Sequence, residues 1–127
     1  MTVPAWIDSA VGEFGQSAGL GRLSLGERGV VAFSFQNGLV LRFEHAFDSL
    51  FVAMTVPTRL DPSVAARILS YSHPNAPFAF RVRAGYLAKS GRALFVIRLA
   101  DRDVTLPAIN AAFALLWRIA RESGGAA

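Results

Sequence analysis

Cysteine is absent from the chain, which excludes disulfides and thiolate metal sites. Histidine is nearly absent: His45 and His73 are the only two, so a metal site built on them would need carboxylates to complete it. Lysine is reduced to Lys89 beside twelve arginines. No apolar run exceeds about seven residues, whereas a membrane-spanning helix needs roughly 20. The opening Met1-Thr2-Val3-Pro4, followed by Asp8 and Glu13, lacks the basic start and apolar middle of a secretory signal. These absences turn the expectation away from redox, zinc and membrane classes and toward a cytoplasmic protein with no metal and no cofactor.

The 127 residues suit a single domain, 1–127, with frayed ends at 1–2 and 123–127. Thirteen basic against nine acidic side chains give a net charge of +4, a field that favours acidic partners. The arginines are scattered from Arg22 to Arg121 with no two adjacent. That spacing fits a solvated surface better than a continuous basic track.

Hydrophobic spacing predicts the elements. Ile7, Val11, Phe14 and Ala18 recur at helical intervals, with Thr2 as N-cap candidate, Pro4 in the first turn and a stop at Gly19. Trp6 stands beside that stripe, as a core edge or an exposed anchor. A connector, 21–29, carries Leu23 and Leu25 in alternation, as a short strand or tethering arm does. Strands over 30–35 and 39–43 flank Asn37-Gly38, a dipeptide suited to a tight hairpin turn. A turn at 46–49 leads to a third strand, 50–56, ending at Pro57. Asp61-Pro62 opens a short helix with Val64, Ala65, Ile68 and Leu69 on its apolar side, ending near His73-Pro74. Strands over 78–84 and 92–99 flank a turn around Lys89-Ser90-Gly91. Thr105 caps a last helix with Ile109, Phe113, Leu116 and Ala120 on one face, fraying before Gly124-Gly125. The predicted class is α+β: a twisted antiparallel five-stranded sheet with three helices, in the order α-β-β-β-α-β-β-α.

Alternation along the strands assigns faces. Val31, Phe33, Phe35, Leu39, Leu41, Phe43, Phe78, Phe80, Val82, Phe95, Ile97 and Leu99 form the expected helix-facing core. The other face reads Val30, Ala32, Ser34; Val40, Arg42, Glu44; Ala79, Arg81, Arg83; Leu94, Val96, Arg98. Apolar residues mixed with arginine there point to a surface covered by a second subunit or a bound segment, since extended apolar patches mark interaction sites.

Catalytic constellations do not emerge. Glu44 and His45 are strand neighbours and point to opposite faces, so they make no preset acid–base pair, and His45 is expected at the surface. His73, at a helix C-terminus, can serve the terminal carbonyls. No serine lies in a nucleophile elbow, and Gly19-Leu20-Gly21 lacks the third glycine of a nucleotide loop. An enzyme is not expected. Nucleic-acid binding is disfavoured because single-strand binders set aromatics beside their basic groups, and nearly all strand phenylalanines are assigned inward, with Phe51 the exception.

Taken in order, Phe14 to Leu20 with Leu23-Ser24-Leu25, the Gly29-Val30-Val31-Ala32-Phe33-Ser34-Phe35 and Gly38-Leu39-Val40-Leu41 hairpin, and the helix Ser63 to Tyr71 leading through Asn75 to Phe78-Ala79-Phe80 resemble the effector-binding class of type III secretion chaperones. The resemblance spans about residues 3–122. It implies a homodimer, with the middle helix and adjacent strand at the interface, for which Val64, Ile68, Tyr71, Ala79 and Arg81 are the candidates. It also implies apolar grooves that hold the N-terminal segment of a secreted effector, with Trp6, Val30, Ala32, Val40, Phe51, Leu94 and Val96 as contact candidates, and no nucleotide. Members of this family are commonly acidic; a basic one suits an acidic effector segment or another role. The alternatives are a basic nucleic-acid-binding or adaptor domain and, behind it, a small-molecule-binding domain or enzyme on a similar scaffold.

Overall fold

A computed structural model describes residues 2–124. The elements are α1 (Ala5–Ser17), β1 (Val30–Ser34), β2 (Val40–Ala46), β3 (Ser49–Pro57), α2 (Pro62–Tyr71), β4 (Val82–Leu87), β5 (Arg92–Ala100), a 3-10 turn (Asp101–Asp103) and α3 (Leu106–Gly124). The order is the one expected, and the five antiparallel strands lie in the sequence β1-β2-β3-β5-β4.

Local chemistry explains most boundaries. The Asp61 carboxylate accepts from the Val64 amide at 2.9 Å, with Pro62 at the first helical position of α2, where its missing N–H costs nothing. Thr105 caps α3 in the same way, accepting from the Ala108 amide at 3.1 Å. Between β1 and β2, the Gly38 amide donates to the Phe35 carbonyl and only Gly38 is left-handed, at φ 88°, so the turn is longer than a two-residue one. The β2–β3 turn is the tight one, with Phe47 and Asp48 both left-handed.

All three helices lie on one side. α3 packs across β3 and β5, α1 packs on α3, and α2 packs beside β4. The core joins Leu41, Phe43, Val52, Met54, Phe95 and Ile97 to Ile109 and Leu116 of α3 and Ile7, Val11 and Phe14 of α1. Phe14 meets the edges of Phe43 at 5.5 Å and Phe113 at 5.2 Å.

The connector after α1 is an arm and not a strand. Asp8 accepts from the Leu25 amide at 2.8 Å and draws Leu25 into the core. The arm crosses α1 at Gly15, where a β-carbon would collide with the Gly21 carbonyl oxygen and with Leu23.

Several expectations are corrected. Thr2 does not cap α1, which follows Pro4 without a side-chain cap. Ala18 is exposed beyond the helix end, and Leu69 turns outward at 67% exposure. The fourth strand begins at Val82, not Phe78: residues 76–81 stay unpaired after Pro77, and Phe78 instead packs on Tyr71 at 6.0 Å. Of the twelve expected core residues, Val31, Phe33, Phe35, Phe78 and Phe80 are only half-buried; the first two belong to an edge strand, and the rest lie outside the strands. Ser123 and Gly124 continue α3, with Ser123 buried and Gly124 lying against Val56. Met1 and 125–127 lie outside the described residues.

Gly15→Ala is expected to destabilise the protein by about 1–3 kcal/mol through overpacking, although alanine favours helix; a denaturation midpoint equal to wild type would show that the arm yields freely. The Val64 amide, then the Ser63 hydroxyl, hold the Asp61 carboxyl below its ordinary 3.8. The stabilisation is therefore complete above 3.8 and lost as pH falls through the folded-state value. Asp61→Ala should lower the thermal midpoint at neutral pH, with the gap closing in acid.

Candidate functional site: the open face of the sheet

No helix covers the second face of the sheet, and strand register dictates what it displays. Cross-strand rows run Val30–Glu44–Phe51–Arg98, Ala32–Arg42–Ala53–Val96–Arg83 and Ser34–Val40–Thr55–Leu94–Gly85. Most of these residues, though not Ser34, Arg83, Gly85 or Arg98, line a shallow apolar groove of about 750 Å³. Six of the seven contact candidates meet in it: Val30, Ala32, Val40, Phe51, Leu94 and Val96. Trp6 is 51% exposed but belongs to α1 on the helical side, and the structure does not bring it to the others.

Residues missed in the sequence complete the groove. Ala53 and Thr55 line it, and the alternation of β3 could have found them, since Leu50, Val52, Met54 and Val56 are all buried. Leu87 also lines it, hidden from sequence reasoning by the late start of β4. Next to the groove, Phe47, Phe51, Arg81, Arg83, Val96 and Arg98 enclose a second depression of about 430 Å³. Phe47, 82% exposed at a turn, has no periodic signal.

Polar groups divide between internal ties and open charge. Arg42 pairs with Glu44 at 3.1 Å. Arg92 donates to Thr55 Oγ1 at 2.9 Å and to the carbonyls of Thr55 and Gly38 at 3.1 and 2.5 Å, binding the β1–β2 turn to β3. Arg98 Nε donates to Ser49 Oγ at 2.7 Å. His45 corrects its expected surface placement: its side chain is 5% exposed, with Nε2 2.8 Å from Asp101 Oδ1, tying β2 to the turn after β5. His73 accepts from the Asn75 amide at 3.1 Å, a bond within its own turn and not to the carbonyls ending α2.

The dimer candidates lie around α2 and the approach to β4. Val64 and Tyr71 are half-buried, Ala79 and Arg81 exposed. Ile68, at 3% exposure, turns into the subunit's own core and presents no surface. The Tyr71 hydroxyl donates to Glu122 Oε2 at 3.0 Å, and burial, then this bond, hold the phenol above its usual range. Among the described residues no group of three or more His, Asp or Glu could hold a metal ion, and no helix is long and apolar enough to cross a membrane.

Residues 6–123 match the model of the type III secretory system chaperone SycN family. The chain belongs to the type III secretion chaperones. No curated protein matches it. Among solved structures, it resembles a chain of the ExsC–ExsE complex with a TM-score of 0.77 at 17% identity, covering 99% of this chain and 96% of that one. A chain of the HopA1–SchA chaperone–effector complex gives 0.73 at 15% identity, covering 98% and 100%. The Yersinia pestis type III secretion chaperone SycH, solved with a fragment of YscM2, gives 0.66 at 18% identity, covering 89% and 96%. At these identities the likeness is one of fold. The chaperone family reading takes precedence over the nucleic-acid alternative.

Proposed function

We propose that this chaperone holds the N-terminal segment of a secreted effector against the open face of its sheet and keeps it export-competent in the cytoplasm. The observation that carries this reading is the bare apolar groove on a chain of this family. The fold neighbours named for the ExsC–ExsE and HopA1–SchA complexes support it by analogy.

The mechanism is passive and needs no enzyme chemistry, cofactor or nucleotide. An effector segment laid along Val40, Ala53, Leu94 and Val96 buries its apolar side chains there, at about 25 cal/mol per Å². β1 and β4 are edge strands, so their free N–H and C=O groups can add a strand from the client, with pockets between side chains giving selectivity. The client's ordering entropy offsets part of this gain and keeps the hold reversible.

The protein acts as a homodimer in this reading, joined through α2 and the approach to β4. Val64, Tyr71 and Ala79 lie at that interface, with exposed Leu69 added and Ile68 supporting it from behind, while Arg81, the remaining candidate, lines the depression on the open face.

Val40→Asp and Val96→Asp each keep the far-ultraviolet spectrum and a cooperative melt but lose client capture, measured by pull-down from nuclease-treated lysate with bound proteins identified by mass spectrometry. Unfolding on either substitution would mark those residues as core, and undiminished capture would move the client off this face. Light scattering should give twice the 13.6 kDa chain mass; a monomer at micromolar concentration would remove the dimer from the reading.

A further inference from the structure

We propose that the corner of the open face beside the β2–β3 turn is a carboxylate-reading pocket, which selects effector segments carrying an acidic residue next to an aromatic or aliphatic one. This inference rests on the effector-holding role of the face and adds to it the chemistry of the client.

The first observation is where charge is left over. Arg42 is neutralised by Glu44 and Arg92 is held by carbonyls and Thr55. Arg81, Arg83 and Arg98, by contrast, have no ion-pair partner among the described residues. Arg98 uses only Nε, on Ser49, so both of its terminal nitrogens remain for a ligand. Register sets Arg98 opposite Phe51 and Arg83 opposite Val96. Three cations around one depression repel one another, and a carboxylate between them relieves that repulsion through charge-assisted hydrogen bonds.

The second observation is Phe47. It occupies the first position of a two-residue turn at φ 52°, followed by Asp48 at φ 54°, where asparagine, aspartate and glycine are favoured and an aromatic is out of place. Its ring is 82% exposed and contributes nothing to the core, yet it lines the arginine depression. Folding alone gives no reason for a phenylalanine there; an apolar contact for a client side chain does.

The occupant follows from what surrounds the corner. A nucleic acid requires basic groups along its backbone track, but the charge here is confined to one end and the face continues as an apolar groove containing Glu44. A second copy of the chain related by a two-fold axis through the corner would set arginine against arginine. An extended protein segment with carboxylates at one end and apolar residues along the rest matches both parts.

The test selects a displayed library of random short peptides on the full-length protein. It then measures fluorescence anisotropy of the most enriched peptide and of its counterpart with Asp and Glu changed to Asn and Gln. We expect acidic residues adjoining aromatic or aliphatic ones among the enriched peptides, and about tenfold weaker binding of the amide counterpart. That difference collapses in Arg83→Ser and persists in Arg121→Ser, which removes the same charge from exposed α3. Phe47→Asn should raise the thermal midpoint while weakening the acidic peptide, two changes that a purely structural role would not produce together. Equal affinity for both peptides, with both lost in Val40→Asp, overturns the pocket and leaves effector holding intact. No enrichment at all overturns effector holding and the pocket with it. A single-stranded oligonucleotide that displaces the acidic peptide at lower concentration overturns the pocket in favour of nucleic acid.

Discussion

One-sided cover of the sheet is the constraint on which the rest depends. A strand alternates its side chains between two faces, and here α3 rests across β3 and β5 with α1 stacked upon it, all on one side. Leu50, Val52, Met54, Phe95 and Ile97 are thereby buried, while Phe51, Ala53, Leu94 and Val96, their immediate neighbours, are committed to the other face. Burial of large side chains at about 1.5–3 kcal/mol each lets the covered side stabilise the fold without help from the bare one. The groove is thus free to be shaped by binding.

That face also sorts its arginines by position. In the middle, over which the proposed client segment would lie, Arg42 is paired with Glu44. At the far end Arg92 is part of the scaffold, closing a turn by its bonds to carbonyls. Only at the corner is charge left open. A net charge of +4 says little by itself, because its meaning lies in which guanidinium groups the fold has already engaged.

Much of the architecture was legible in the sequence, because alternation and helical spacing are direct imprints of the burial each element undergoes. The face assignments for β2 and β5 hold, and six of the seven proposed contact residues meet in one groove for that reason. What escaped was set by tertiary context. Phe78 and Phe80 alternate like a strand but follow Pro77 and settle beside α2 instead. Trp6 and Leu69 are apolar on helices, and only packing reveals that Trp6 stays on the helical side, away from the groove, and that Leu69 turns away from the core. His45 looked like a surface residue since its partner, Asp101, comes from the end of β5. Phe47 was invisible because a turn has no period.

The contact between the first and last helices bears on how the chain can fold. Phe14 of α1 is enclosed by Phe43 and by Phe113 of α3, and α3 is also the element that covers β3 and β5. Contacts between distant parts of a chain form late and slowly, and during synthesis α3 emerges after the strands it covers. Until it does, β3 and β5 have neither face covered and α1 keeps only its contact with Phe43 of β2. A nascent copy is therefore itself an unfolded, apolar chain of the kind the finished protein is built to hold.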